Sequence, residues 1–189
     1  MRRGILRLAW VGVVLAAAGL LGCAGSSEAP GKRDGKSAPK PSGEFEPVLA
    51  SLPQVDVAIA EQKGKVVLVD FWATWCPPCV ASFPNLVRHH QNYSGKGLVV
   101  FAVSLDDPID KDEVRQFLKT KDAWFTCFLV GPPSAMPPDD RKLLRERFRF
   151  AGGIPHGAVF NKYGNLVWAG NPYSEARLVE NLILEELAK

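Results

Sequence analysis

The chain has 189 residues, 47% hydrophobic and 23% charged, which suits one globular domain carrying an appendage. Its formal charge of +3 comes from Arg2, Arg3 and Arg7, which lie in a stretch of 22 residues without a single acid, and beyond it 20 basic residues balance 20 acidic ones. With no basic excess in the remainder, a nucleic-acid-binding function loses its electrostatic support.

After the three arginines, residues 8–22 (LAWVGVVLAAAGLLG) are continuously apolar, the order of a secretory leader. The run closes on LLGC, residues 20–23, which resembles the lipobox of bacterial lipoproteins, whose cysteine is lipidated and becomes the mature N-terminus. An uncleaved anchor is the other reading, because the run is near the short limit of ~17 residues for spanning a bilayer. Both readings put the rest of the chain outside the cytoplasm. Residues 24–43 (AGSSEAPGKRDGKSAPKPSG) have almost no bulky apolar side chain and cannot bury enough surface to offset ordering entropy. The expected organisation is a leader over 1–22, a flexible tether over 23–44 held by lipidated Cys23, and a folded domain over 45–189.

Within that domain, residues 65–72 (KVVLVDFW) form a β-branched and aromatic run of the buried-strand type. Val80, Phe83, Leu86, Val87 and His90 then recur at helical spacing, which predicts a helix beginning near Cys76. Further strands are predicted at 98–105 and 124–130, and helices at 111–120 and 141–148. The proline-rich stretch 131–140 reads as a rigid connector. Residues 158–160 and 166–168, around the turn NKYGN, predict a hairpin, and 174–187 a closing amphipathic helix. Strands alternating with helices imply an α/β fold with a mixed central sheet flanked by helices on both faces.

Two of the four cysteines stand three positions apart in DFWATWCPPC, residues 70–79. At a helix start, Cys76 would meet unpaired backbone N–H groups and the positive end of the helix dipole, which stabilise a thiolate, the species that attacks disulfides. Cys79, one turn later, can reach it to close a short disulfide. Pro77 and Pro78 are tolerated in a first turn, where their missing N–H groups would have no intrahelical partner. Haem attachment would need His where Val80 stands. A structural zinc site would need two further ligands, and Cys127, His89, His90 and His156 offer no second paired motif. A purely structural bridge remains an alternative in an exported protein.

These residues resemble the active-site segment of the thioredoxin superfamily, and the leader, ATWCPPC and VSLDD resemble its membrane-tethered TlpA/ResA-like branch. The similarity covers most of residues 52–189. It includes Asp70 before the pair, Pro84 after it, and GGIPHG (residues 152–157), which resembles the GIPT segment holding a cis-proline. Residues 98–148 supply two strands and two helices where thioredoxin has one of each, so the resemblance implies a thioredoxin-like fold with a strand-helix insertion before the cis-Pro. Asp70 departs from the Asn frequent in the tethered branch, and His156 from the usual Thr.

The resemblance implies Cys76 as nucleophile, Cys79 as resolving thiol, and Asp70 as a buried base of raised pKa for the Cys79 proton. It implies that Trp75 and Pro77 flank the substrate, and that Ile154 and cis Pro155 pair with an extended one. Beside the sulfurs, a protonated His156 would stabilise thiolate; the competing reading is a hydrogen-bonded strand histidine. Trp72 reads as core, Cys127 as a buried inert thiol, and His89 and His90 as surface residues. The implied activity is thiol-disulfide exchange on exported proteins or apocytochromes, with a membrane electron donor, no cofactor beyond the redox-active pair, and no metal. A non-catalytic thioredoxin-like binding lipoprotein, or an oxidant or isomerase using the same pair, are the alternatives. A peroxidase is disfavoured, because Thr74 is two positions before Cys76 and does not match PxxxTxxC.

Overall fold

The computed structural model describes residues 45–189; the predicted leader, Cys23 and the tether lie outside the described residues. In chain order the elements are β1 (Val48–Leu49), α1 (Leu52–Ala60), β2 (Val66–Trp72), α2 (Pro77–Tyr93), β3 (Leu98–Ser104), α3 (Lys111–Thr120), β4 (Thr126–Leu129), α4 (Pro138–Arg147), β5 (His156–Phe160), β6 (Leu166–Gly170) and α5 (Ala176–Ala188). Among the described residues the strands form one sheet in the order β1-β4-β3-β2-β5-β6. The β2/β3, β3/β4 and β1/β4 pairs are parallel, and β5 runs antiparallel to both β2 and β6. This is the mixed sheet that the sequence predicts.

All seven residues of β2 are buried, as expected of a strand covered on both faces. Alternation sends Leu68 and Trp72 into one layer with Phe83 and Leu86 of α2, Val114 of α3 and Ile183 of α5. Val67, Val69 and Phe71 enter the opposite layer with Leu52 and Ile59 of α1 and Leu144 of α4. Asp70 has the parity of Leu68 and Trp72, so its carboxyl is turned into the layer that α2 covers. β2 pairs along its whole length with β3, and from Val67 to Phe71 with β5, which fixes the end of the strand from which the chain departs to Cys76.

β1 and α1 were not expected from the sequence. α1 buries Leu52, Val55 and Ile59 and is closed at its start by a capping box between Ser51 and Gln54. The Ser51 backbone N–H donates to Gln54 Oε1 at 2.8 Å.

Candidate active site

Cys76 is the N-cap of α2, in extended conformation at φ −100° and ψ 97°. Pro77 and Pro78 occupy the first turn and contribute no N–H, so the Cys79 N–H is the nearest available donor, and it points at Cys76 Sγ at 3.3 Å. Cys76 and Cys79 are joined by a disulfide with an S–S distance of 2.05 Å. Both are buried, at 4% exposure for Cys76 and 1% for Cys79. The preceding Trp75 is 61% exposed, a large apolar surface turned to solvent next to the sulfurs.

The loop that delivers Cys76 is held from β3. The Asp106 carboxylate, fully buried, accepts hydrogen bonds from the Thr74 backbone N–H at 3.1 Å, from the Thr74 hydroxyl at 2.5 Å and from the Ser104 hydroxyl at 2.6 Å. Asp106 falls within VSLDD, a segment from which no site role was expected; its signal in the sequence is an acid placed directly behind an apolar strand. Asp106→Asn keeps the shape but replaces one acceptor oxygen by a donor, leaving buried donors short of a partner. A loss of about 2 kcal/mol in urea unfolding is expected, together with a changed reduction potential of the pair, because the loop that sets Cys76 is loosened. An unchanged stability and potential would show that water replaces the carboxylate there.

Asp70 is buried, and desolvation pushes its carboxyl up to about 8. It lines a narrow crevice with Leu68 of β2, Ser82, Asn85, Leu86 and His89 of α2, and Pro172, Ala176 and Val179 near and on α5. Gly157 pairs with Asp70 across the β2/β5 ladder; a Cβ there would stand 3.1 Å from the Trp168 ring and 3.3 Å from Pro172, so the missing side chain is what lets Pro172 roof the crevice. Ser82, which lines this crevice, donates its hydroxyl to the Cys79 carbonyl at 3.1 Å, which ties the crevice wall to the second cysteine.

Ile154–Pro155 is a cis peptide, as the GGIPHG resemblance implies. Since Phe71 pairs with His156, both residues lie at the C-terminal end of β2, and Ile154 packs against the layer that holds Cys76 and Cys79. They line an open groove of about 460 Å³ together with Arg149, Gly153, Ala169 and Asn171.

The expectations for His156, His89 and His90 are corrected, whereas Cys127 is the buried thiol that the sequence predicts. His156 is not beside the sulfurs: its parity puts it in the opposite layer, where its Nε2 lies 2.8 Å from the Phe148 carbonyl oxygen and its ring meets Phe71 and Phe150. Burial lowers its pKa, so the reading that fits is the hydrogen-bonded strand histidine. His89 is not a surface residue but is 5% exposed, and His90 is half-buried against Phe125. α2 buries Phe83, Leu86 and Val87 as the helical spacing predicts, together with Cys79, Ser82, His89 and Tyr93, so its buried face is wider than the predicted stripe and takes in His89. Cys127 is free and buried, and desolvation pushes its thiol up to about 12. Among the described residues no group of three or more His, Cys, Asp or Glu side chains is arranged to hold a metal.

An α/β sheet of this order, with a disulfide at the start of the helix after its central strand and a cis-proline facing that end, defines the thioredoxin-like class. The chain belongs to the Redoxin family, whose model matches residues 33–183. It is 36% identical over 66 residues to the thiol-disulfide oxidoreductase ResA of Oceanobacillus iheyensis, covering 35% of this chain and 34% of that protein. It is 32% identical over 105 residues to the thiol:disulfide interchange protein HelX of Rhodobacter capsulatus, covering 56% of this chain and 54% of the other. The chain thus spans about a third to a half of the length of these curated relatives. Among solved structures, a crystal structure described as a DsbE thiol:disulfide interchange protein of Chlorobium tepidum superposes with a TM-score of 0.53 at 29% identity, over 68% of this chain and 84% of that one.

Proposed function

We propose that the protein is a thiol-disulfide oxidoreductase that reduces disulfides in exported proteins or apocytochromes. The observation that carries the reading is the Cys76–Cys79 disulfide at the cap of α2, with the Cys79 N–H aimed at Cys76 Sγ; the relatives named for thiol-disulfide chemistry support it. In the reduced protein the Cys76 thiolate attacks one sulfur of a partner disulfide, a mixed disulfide forms, and the first partner thiolate leaves. Cys79 then loses its proton to the Asp70 carboxylate and attacks Cys76 Sγ, releasing the second partner thiolate and closing the Cys76–Cys79 bond. Two electrons have passed to the partner, and a dithiol donor on the membrane must return them. Trp75, Pro77 and the groove at Ile154 and Pro155 present the surface on which an extended partner segment lies. Reduction of insulin disulfides by the protein with dithiothreitol as donor tests the reading. Rates equal to dithiothreitol alone would favour a non-catalytic binding protein instead.

The same proposal places the domain outside the cytoplasm on a lipid anchor at Cys23. Cys23→Ser should leave a precursor or a loosely held species, because stable anchoring needs more than one acyl chain. A variant that fractionates with membranes at the mature mass of the unsubstituted protein would overturn the anchor.

A further inference from the structure

The crevice lined by Asp70 and Ser82 holds more polar chemistry than resolution of a disulfide requires. Its volume open to water is about 20 Å³, enough for a water molecule, which needs ~10–15 Å³ and two or more polar partners. Asp70 lines it from β2, and the Ser82, Asn85 and His89 side chains line it from one face of α2. His89 is 5% exposed, and its Nε2 is buried with no hydrogen-bond partner among the described residues. A buried ring nitrogen without a partner is costly, and here it belongs to a residue that borders a water-sized space shared with a carboxyl.

We infer that His89 is the proton port of Asp70: water in the crevice links the Asp70 carboxyl to His89 Nε2, and the imidazole exchanges that proton with solvent. The inference rests on the reading of Asp70 as the base for Cys79. The balance is simple. The Cys79 thiol gives its proton to the Asp70 carboxylate, the thiolate becomes a disulfide sulfur, and Asp70 is left as a neutral acid that must be emptied before the next turnover. Crevice water carries the proton on to neutral His89, and the imidazolium releases it to bulk water. An acid as weak as a desolvated carboxyl yields its proton slowly to water alone and readily to an imidazole, whose basicity is better matched.

The surroundings of His89 suit the task. Burial lowers its pKa, Glu180 of α5 opposes that, and Arg88 adds to it. The ring stacks on Tyr93 with centroids 6.1 Å apart. The Tyr93 hydroxyl donates to Glu180 Oε1 at 2.7 Å, and Glu180 also faces Arg88 at 3.8 Å. A neutral imidazole beside a partly exposed carboxylate can accept a proton from within and lose it outward.

The test follows the pH dependence of mixed-disulfide turnover on insulin in the full chain and four variants. His89→Ala is expected to be about tenfold slower near neutral pH, less than the whole contribution of a positioned base because the crevice mouth still admits water. Free imidazole should restore much of that loss. His89→Gln fills the site and carries no titrating proton, so it should be as slow and show no rescue; this variant keeps the test valid if His89→Ala folds poorly. Combined with Asp70→Asn, His89→Gln should add nothing, since a relay without its base has nothing to serve. A His89→Gln variant with the unsubstituted rate and pH profile overturns the inference while leaving Asp70 in place. If Asp70→Asn alone matches the unsubstituted profile, the base assignment falls, and the port falls with it.

Discussion

Asp70→Asn is expected to stabilise the oxidised protein against urea by an amount that grows steadily as the pH rises from 4 to 8. Burial holds the Asp70 carboxyl at about 8 in the folded chain, against about 4 in the unfolded one. The folded state therefore binds a proton that the unfolded state releases between these values, and stability falls as pH rises wherever the folded state holds more protons. The contribution of this carboxyl is complete below pH 4, declines through the window, and is gone above pH 8. At about 1.4 kcal/mol per unit, the difference between the two proteins should change by several kcal/mol across the window. Asn has the same shape and does not titrate, and the other carboxylates are common to both proteins, so they cancel. The difference at pH 4 measures the amide itself; only the change with pH belongs to ionisation. Parallel curves from pH 4 to 8 would mean that crevice water solvates the carboxylate well enough to leave it an ordinary acid.

That Asp70 sits on a buried strand was legible in KVVLVDFW, because an acid inside an unbroken apolar run has no solvated face to turn to. The pair was legible for a related reason: two cysteines flanking prolines can cap a helix, and the structure puts Cys76 at that cap. The side of the sheet on which His156 falls was not, because it depends on Phe71 pairing with His156, a contact between residues 85 positions apart that no local pattern carries. The helical stripe of α2 was legible over Phe83, Leu86 and Val87, all of which are buried. At its ends burial takes in Cys79, Ser82 and His89 rather than Val80 and His90, and two of these, Ser82 and His89, are polar and border the crevice rather than the dry core. α1 was hidden by Pro53, which reads as a breaker but stands in the first turn, where it is tolerated. β1 is two exposed residues, Val48 and Leu49, paired only to β4, and its existence depends entirely on that neighbour.

The second large effect is a difference between the two cysteines as traps. In the reduced protein Cys76 Sγ sits at the cap of α2, where the Cys79 N–H and the helix dipole favour its thiolate. Cys79 lies one turn deeper at 1% exposure, under the Ser82 hydroxyl that bonds its carbonyl. Cys79→Ser retains the attacking sulfur and removes the thiol placed to resolve the adduct, so mixed disulfides with insulin should accumulate towards one per protein. Cys76→Ser leaves a sulfur that cannot meet a partner disulfide without breaking into the core, and should trap at least roughly tenfold less. Both variants lose turnover, so activity alone cannot distinguish the roles, whereas non-reducing electrophoresis after thiol blocking can. Equal trapping by the two would mean that the start of α2 opens on reduction far enough for either sulfur to reach solvent, and the order of attack would no longer follow from the cap.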